Sequence, residues 1–186
     1  MSGYSRLVID CNRKPSHETP IPASSDGVAI PGNQAIAPAD AVRRAEENFH
    51  PYHRAVATVI DKVQARGIAP VIVAIHGFTP KMDGIARPWH VSVLWDVDPR
   101  ISTLLLGALR DRGDLVVGDN QPYSGREHYG YSADVHATAA GLPNALIEIR
   151  DHQIRDAEGV ARYADLLGDA LAGVLADPAV YRVENY

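Results

Sequence analysis

A carboxylate lies within an apolar, strand-like segment, Leu146-Ile-Glu-Ile-Arg-Asp151. Burying a carboxylate is costly, so Glu148 needs either a partner or a chemical role. Partial burial raises the pKa of a carboxyl group toward the range in which it can accept a proton from water, which makes Glu148 a candidate general base. The alternatives are a strand with one solvated face or a structural ion pair. Arg150 is two residues further on and shares the strand face of Glu148.

A histidine follows the apolar run Pro70-Val-Ile-Val-Ala-Ile75, which predicts a central strand covered on both faces. Neutral imidazole at the end of a strand is a good zinc ligand, so His76 is a candidate metal ligand. The alternative is a strand-end histidine with ordinary hydrogen bonds, since His76 has no further ligand at a typical spacing. The other histidines are weaker candidates: His90, predicted to be packed, His128 and His136.

The segment Arg6-Leu-Val-Ile-Asp-Cys11 predicts a short strand with polar residues at its end. It begins with an arginine and is followed by Asn12 and Arg13. Arg6, Asn12 and Arg13 could grip a carboxylate, because the planar guanidinium fork matches two carboxylate oxygens. The alternative is that Arg6 and Asp10 only pair with each other. Tyr123, in a turn-like segment, could add a hydroxyl group to a substrate site.

The order of elements predicts an α/β protein, because strands and helices alternate from Pro70 onward. Ligands of such sheets bind at the carboxyl ends of the strands, where the polar clusters fall.

Pro51 either kinks the first helix or starts a second one, which ends by Gly67. The predicted elements are a strand over Arg6–Cys11, an irregular segment over Ser16–Ala37, a helix from Pro38 with Val42, Val59 and Ile60 in its buried stripe, a strand over Pro70–Ile75, a strand over Trp89–Trp95, a helix over Ile101–Arg110, a strand over Leu115–Gly118, a loop over Asp119–Tyr131, a helix over Ala133–Ala140, a strand over Asn144–Arg150 and a helix over Val160–Leu175.

Composition narrows the functional classes. The 186 residues, 46% of them hydrophobic, suit one domain. A net charge of -5 with scattered Lys and Arg argues against a nucleic-acid partner. No apolar run reaches the length of a signal peptide or a membrane span, and the single Cys11 indicates a cytoplasmic protein.

Five segments together resemble the N-formylglutamate amidohydrolase family, and the resemblance extends over nearly the whole chain. They are Ser5-Arg-Leu-Val-Ile-Asp-Cys-Asn-Arg13, His76-Gly-Phe-Thr-Pro80, Arg87-Pro-Trp-His90, Gly118-Asp-Asn-Gln-Pro-Tyr123 and Ile147-Glu-Ile-Arg150. The family is similar to the zinc carboxypeptidases and to aspartoacylase and succinylglutamate desuccinylase. The resemblance therefore implies a mixed, mostly parallel sheet with helices on both faces.

The resemblance also implies roles for individual residues. Asn12 and Arg13, helped by Arg6, are expected to bind the substrate carboxylate, with Tyr123 and Arg150 as further substrate-binding candidates. His76 is expected to bind one Zn²⁺ and Glu148 to act as the general base. The related enzymes take two further zinc ligands from a loop before the Asp-x-Asn-Arg segment. The chain is therefore expected to be one domain over residues 1–186 without the family's N-terminal part. His17 is the only nearby candidate for a substitute ligand.

The expected activity is hydrolysis of N-formyl-L-glutamate, or of a similar N-acyl acidic amino acid, to formate and glutamate. A zinc deacylase or peptidase with another acyl substrate is one alternative, because pocket shape sets the size of the acyl group. A second alternative is a metal-free relative that binds carboxylates without catalysis.

Overall fold

The structure is a computed structural model that describes residues 3–14, 20–127 and 130–186. Its strands are β1 (Ser24–Ser25), β2 (Val28–Ala29), β3 (Ile72–Phe78), β4 (Lys81–Met82), β5 (Ile85–Ala86), β6 (Val91–Leu94), β7 (Val117–Asp119) and β8 (Asn144–Arg150). Its α-helices are α1 (Pro38–Arg44), α2 (His50–Gln64), α3 (Arg100–Asp111), α4 (Tyr131–His136) and α5 (Ala157–Leu175).

The main sheet has the strand order β3-β8-β6-β7. Strands β3 and β8 are parallel, β6 and β7 are parallel, and β6 and β8 are antiparallel. The predicted mixed, mostly parallel sheet is therefore confirmed. Two small antiparallel hairpins, β1-β2 and β4-β5, lie outside this sheet.

Helices cover both faces of the main sheet, as predicted. On one face, α3 and α5 pack over buried residues such as Ile147, Leu105 and Tyr163. Because strand residues alternate between faces, Leu146 and Glu148 point the other way. That second face carries α4, which α2 packs against. Within the described residues, none of the helices combines the length and apolarity needed to cross a lipid bilayer.

The Arg6–Cys11 segment is a series of turns, so the prediction of a strand there is wrong. Its backbone bonds include two local turns, in which the amide N–H of Val8 donates to the carbonyl of Ser5 and that of Arg13 to the carbonyl of Asp10. The Asp10 carboxylate also accepts from the amide N–H of Asn12 at 2.9 Å. An Asp side chain that captures nearby amides competes with strand pairing, and the β-branched composition did not reveal this.

Strand β3 lies at the edge of the main sheet, which corrects the prediction of a central strand covered on both faces. Ile75 is 58% exposed. An apolar run indicates burial only on average and does not report the position of a strand in its sheet.

The first helical region begins at Pro38, as predicted, and continues through a π-helical stretch, Ala45–Phe49, into α2. Pro51 lies in the first turn of α2, directly after the π-helical stretch. The buried stripe is narrower than predicted, because Val42 and Val59 are both 62% exposed while Ile60 is buried. The other predicted strands and helices agree with the structure within a few residues, apart from Ala133–Ala140, where α4 is followed by a separate 3-10 turn.

Candidate active site

A row of four residues crosses the main sheet on the face that α4 partly covers. His76 is directly opposite Glu148 on the parallel strands β3 and β8. Glu148 is opposite Ser92 of β6, and Ser92 is opposite Gly118 of β7. Residues directly opposite each other on neighbouring strands project from the same face. The sheet therefore places the imidazole of His76 beside the carboxyl group of Glu148.

Glu148 is 6% exposed, and its Oε2 atom has no hydrogen-bond partner among the described residues. Burial raises the pKa of its carboxyl group to about 7, and the charge of Asp151 also raises it. Arg6 and Arg87 oppose these effects. A carboxyl group with a pKa near neutrality exists in both forms at physiological pH, as a general base requires.

His76 is half-buried, and burial lowers the pKa of its imidazole. The charge of Arg6 lowers this pKa further, whereas the charge of Asp10 raises it. Burial and the charge of Arg6, the two larger effects, both favour the neutral ring. A neutral imidazole keeps one nitrogen lone pair available.

Asp10 organises the turn that carries the predicted carboxylate-binding residues. Its buried carboxylate lies 2.5 Å from the guanidinium of Arg6 and 3.9 Å from that of Arg13. The pairing of Arg6 with Asp10, considered as an alternative from sequence, is therefore present. The side chain of Arg6 is still 63% exposed. Its other donors can thus reach a ligand.

The turn borders a cavity of about 470 Å³, whose lining includes Arg6, Asp10, Asn12, His76 and Ser132. The side-chain carbonyl of Asn12 accepts from the amide N–H of Ser132 at 3.0 Å, at the start of α4. The structure therefore brings Arg6 and Asn12 to the same cavity as His76, which comes from a distant part of the chain.

Arg87 is a further candidate, to which the sequence analysis assigned no role. Its guanidinium donates to the hydroxyl of Tyr123 at 3.0 Å and lies 4.9 Å from the centre of the Tyr123 ring. It also contacts Thr79 and the sulfur of Met82. Within the described residues no carboxylate pairs with Arg87, while its charge reaches Glu148 and lowers the pKa of that carboxyl group. The sequence signal was its position in the Arg87-Pro-Trp-His90 motif.

The remaining candidates have structural contacts. Arg150 donates to the backbone carbonyls of Arg87 and Pro88 at 3.3 and 3.2 Å, and so supports the segment that carries Arg87. His90 accepts from the amide N–H of Val116, and His136 bonds to His53. His17 and His128 lie outside the described residues.

A zinc site of three protein ligands is not assembled by the part of the chain that the structure describes. No group of three His, Cys, Asp or Glu side chains there is arranged to hold a metal ion. His76 is the candidate that the geometry offers, as a neutral imidazole at the cavity. These residues alone do not fit a site with three protein ligands and an open position.

The family model of N-formylglutamate amidohydrolase matches residues 1–155. The chain belongs to this family. The predicted membership is confirmed, and so is the predicted class of hydrolase acting on an amide bond, because that is the chemistry of the family. The comparison with curated proteins gave no match.

Two solved structures extend this finding. The gene product Atu2144 from Agrobacterium tumefaciens is 33% identical, with a TM-score of 0.88 over 93% of this chain and 68% of that chain. An N-formylglutamate amidohydrolase from Ralstonia eutropha JMP134 is 20% identical, with a TM-score of 0.56 over 74% of this chain and 55% of that one. The second likeness concerns the fold alone. The chain thus spans about two thirds of one relative and just over half of the other.

Proposed function

We propose that the chain hydrolyses the amide bond of an N-acyl acidic amino acid, with N-formyl-L-glutamate as the first candidate substrate. The observation that carries this proposal is Glu148, a buried carboxyl group with a pKa of about 7, beside the neutral His76. Family membership supports the reaction type.

Glu148 is the proposed general base. Its carboxylate takes a proton from a water molecule while the water oxygen bonds to the acyl carbon. It then gives the proton to the nitrogen as the C–N bond breaks, which releases the carboxylic acid and the free amino acid. For a formyl substrate the products are formate and glutamate.

The proposed acidic substrate matches the cations around Glu148. Arg6 and Arg13 lie on the Asp10 turn, and Arg87 lies beside Tyr123. Both Arg6 and Arg87 are close enough to lower the pKa of Glu148, so a carboxylate bound by either is near the reacting group. Arg87 adds a charge that no carboxylate among the described residues neutralises.

Dependence on one Zn²⁺ stays part of the proposal and supplies none of the steps above. A bound zinc ion would polarise the acyl carbonyl and acidify water. Among the described residues, His76 is the candidate ligand for this ion. The cytoplasmic location of the protein also stays a prediction.

The test is formate release from N-formyl-L-glutamate by the wild type and by Glu148→Gln. The variant keeps the size of the side chain but cannot accept a proton, so kcat should fall by about 10²-fold to 10⁴-fold. Unfolding temperature serves as the control for folding. A rate within a few-fold of the wild type would exclude Glu148 as the base. Binding of glutamate by a wild-type chain without turnover would instead identify the carboxylate-binding alternative.

A further inference from the structure

A pair of histidines joins two helices behind the Asp10 turn. The Nδ1 atom of His53, on α2, lies 2.7 Å from Nε2 of His136, on α4. The planes of the two rings are nearly parallel, with centroids 5.0 Å apart and an interplanar angle of 20°. The other nitrogen of His53, Nε2, lies 2.9 Å from the backbone carbonyl oxygen of Cys11. His53 therefore connects α2, α4 and the turn that precedes Asn12.

The proton positions follow from the carbonyl of Cys11, which can only accept. His53 must carry its proton on Nε2 and donate it to that oxygen. In the neutral ring Nδ1 is then an acceptor, so His136 donates from its Nε2. Burial lowers the pKa of both rings, which favours the neutral forms that this arrangement requires. The direction of each hydrogen bond is thus fixed.

The carbonyl of Cys11 belongs to the peptide group that leads into Asn12. The hydroxyl of Ser132 also donates to this carbonyl, at 3.5 Å, while the amide N–H of Ser132 donates to the side chain of Asn12. Two helices therefore form hydrogen bonds to the turn at adjacent points: α2 through His53, and α4 through Ser132. His136 holds these two elements together.

We propose that His53 is a positioning residue for substrate binding, acting through the Cys11 carbonyl to fix Asn12 and Arg13. This inference rests on the proposed function, because that function assigns Asn12 and Arg13 to the substrate carboxylate. His53 reaches the turn with one directed donor, the Nε2–H group. A side chain that fills the same space without this donor should leave the fold in place and loosen the turn.

Three variants separate the donor from the bulk of the ring. In His53→Gln the amide NH₂ can occupy the place of Nε2 and donate to Cys11. His53→Asn is too short and can only replace Nδ1, the atom facing His136. His53→Phe keeps the ring among Phe49, Tyr52 and Tyr131 but has no donor. The control is His50→Gln on the same helix, where the side chain is 43% exposed.

The first measurement is the steady-state hydrolysis of N-formyl-L-glutamate. We expect KM to rise about tenfold in His53→Asn and His53→Phe with kcat within about threefold, because a binding contact made equally in ground state and transition state is weakened. His53→Gln and His50→Gln should stay within about twofold of the wild-type KM. A KM in His53→Gln as high as in His53→Phe, or an unchanged KM in both His53→Asn and His53→Phe, would overturn the proposal.

The second measurement needs no turnover. Amide hydrogen exchange should become at least about fivefold faster at Asn12 and Ser132 in His53→Asn and His53→Phe, with β8 unaffected, because local opening of the turn becomes easier. Unchanged exchange at both amides would refute the positioning role. Failure of the wild type to hydrolyse or bind the substrate, with exchange behaving as expected, would refute the proposed function alone.

Discussion

His76 and Glu148 are directly opposite each other on two adjacent parallel strands, β3 and β8. Parallel pairing fixes the distance between the strands and the face from which both side chains project. The relationship is therefore set by the backbone of the sheet, before any loop contributes. The proposed substrate-binding groups come from flanking segments, the Asp10 turn and the segment that carries Arg87.

The rate should depend on pH through Glu148. With the pKa of its carboxyl group raised to about 7, the basic form is scarce under acidic conditions. We therefore expect kcat/KM for N-formyl-L-glutamate to fall tenfold per pH unit below about pH 7 and to level off above it. Measurement of kcat/KM from about pH 5 to about pH 9 checks this expectation. A profile that is flat from about pH 5 upward would mean that no group with a raised pKa controls the reaction.

Stability should change with pH in the opposite direction. Because the pKa of Glu148 is higher in the folded chain than its usual 4.5, the folded state binds its proton more tightly than the unfolded state. The resulting stabilisation is complete below about pH 4.5 and is lost as the pH rises through about 7. The loss is roughly 3 kcal/mol, at about 1.4 kcal/mol per pKa unit. Glu148→Gln should lack this contribution. Urea unfolding at about pH 5 and about pH 8 should therefore show a loss of unfolding free energy in the wild type that the variant does not show.

Asp10 should be important for both stability and binding. Its buried carboxylate accepts from the amide N–H of Asn12 and faces two guanidiniums, so Asp10→Asn removes the charge that holds them. We expect a loss of roughly 1–3 kcal/mol in the free energy of unfolding, since Arg6 is largely solvated and adds little. The KM for substrate should also rise.

The matched control for Asp10→Asn is Asp26→Asn. The Asp26 carboxylate also accepts from a backbone amide, that of Asp83 at 3.0 Å, but it is exposed and does not line the cavity. Its substitution should change the unfolding free energy by less than about 0.5 kcal/mol. Equal effects of the two substitutions in urea unfolding would show that burial of Asp10 is unimportant.

The features that the sequence predicted best are those set by short-range pattern. The segment Asn144–Arg150 was predicted as a strand and forms β8 with those bounds, and its one carboxylate proved to be buried. His76 was chosen as a candidate because it follows an apolar run. In both cases a few adjacent residues contain the signal, since a strand requires a period of two and burial excludes unpaired charge.

The features that sequence did not predict depend on distant contacts. The turn at Asp10 is anchored by its amide N–H donating to the carbonyl of Pro20, and no local pattern distinguishes this from a strand. The pairing of Arg87 with Tyr123 joins residues 36 positions apart. The edge position of β3 depends on the order of strands, which an apolar run does not encode.

Zinc content tests the metal part of the proposed function without any assay of activity. The proposed zinc dependence requires further ligands from outside the described residues. With them, about one zinc per chain should remain after loosely bound metal is removed, and His76→Ala should lower this amount. His90→Ala is the control, because His90 already accepts from the amide N–H of Val116. Elemental analysis of the three proteins makes the comparison. Equal zinc in all three would remove His76 from the metal site, and absence of tight zinc in the wild type would contradict zinc dependence.

Arg87 should contribute to both substrate charge selection and the pKa of Glu148. Arg87→Met removes a cation that lowers the pKa of Glu148, so the midpoint of the pH profile should move upward. Binding of N-formyl-L-glutamate should weaken about tenfold or more, because one of its two carboxylates loses its partner. Binding of N-formyl-L-glutamine, which keeps the α-carboxylate but has a neutral amide in place of the side-chain carboxylate, should weaken less.

Two further variants make the role of Arg87 specific. Arg87→Lys retains the charge but loses the planar fork, so the pH midpoint should stay near the wild-type value while affinity falls partly. Arg43→Met, on the exposed face of α1, removes a cation of equal charge away from the site and should change neither quantity. Calorimetric titration gives the affinities, and the pH profile gives the midpoint. If Arg87→Met weakened binding of both ligands equally and left the midpoint unmoved, the guanidinium would support the loop through Tyr123 and would not contact the substrate.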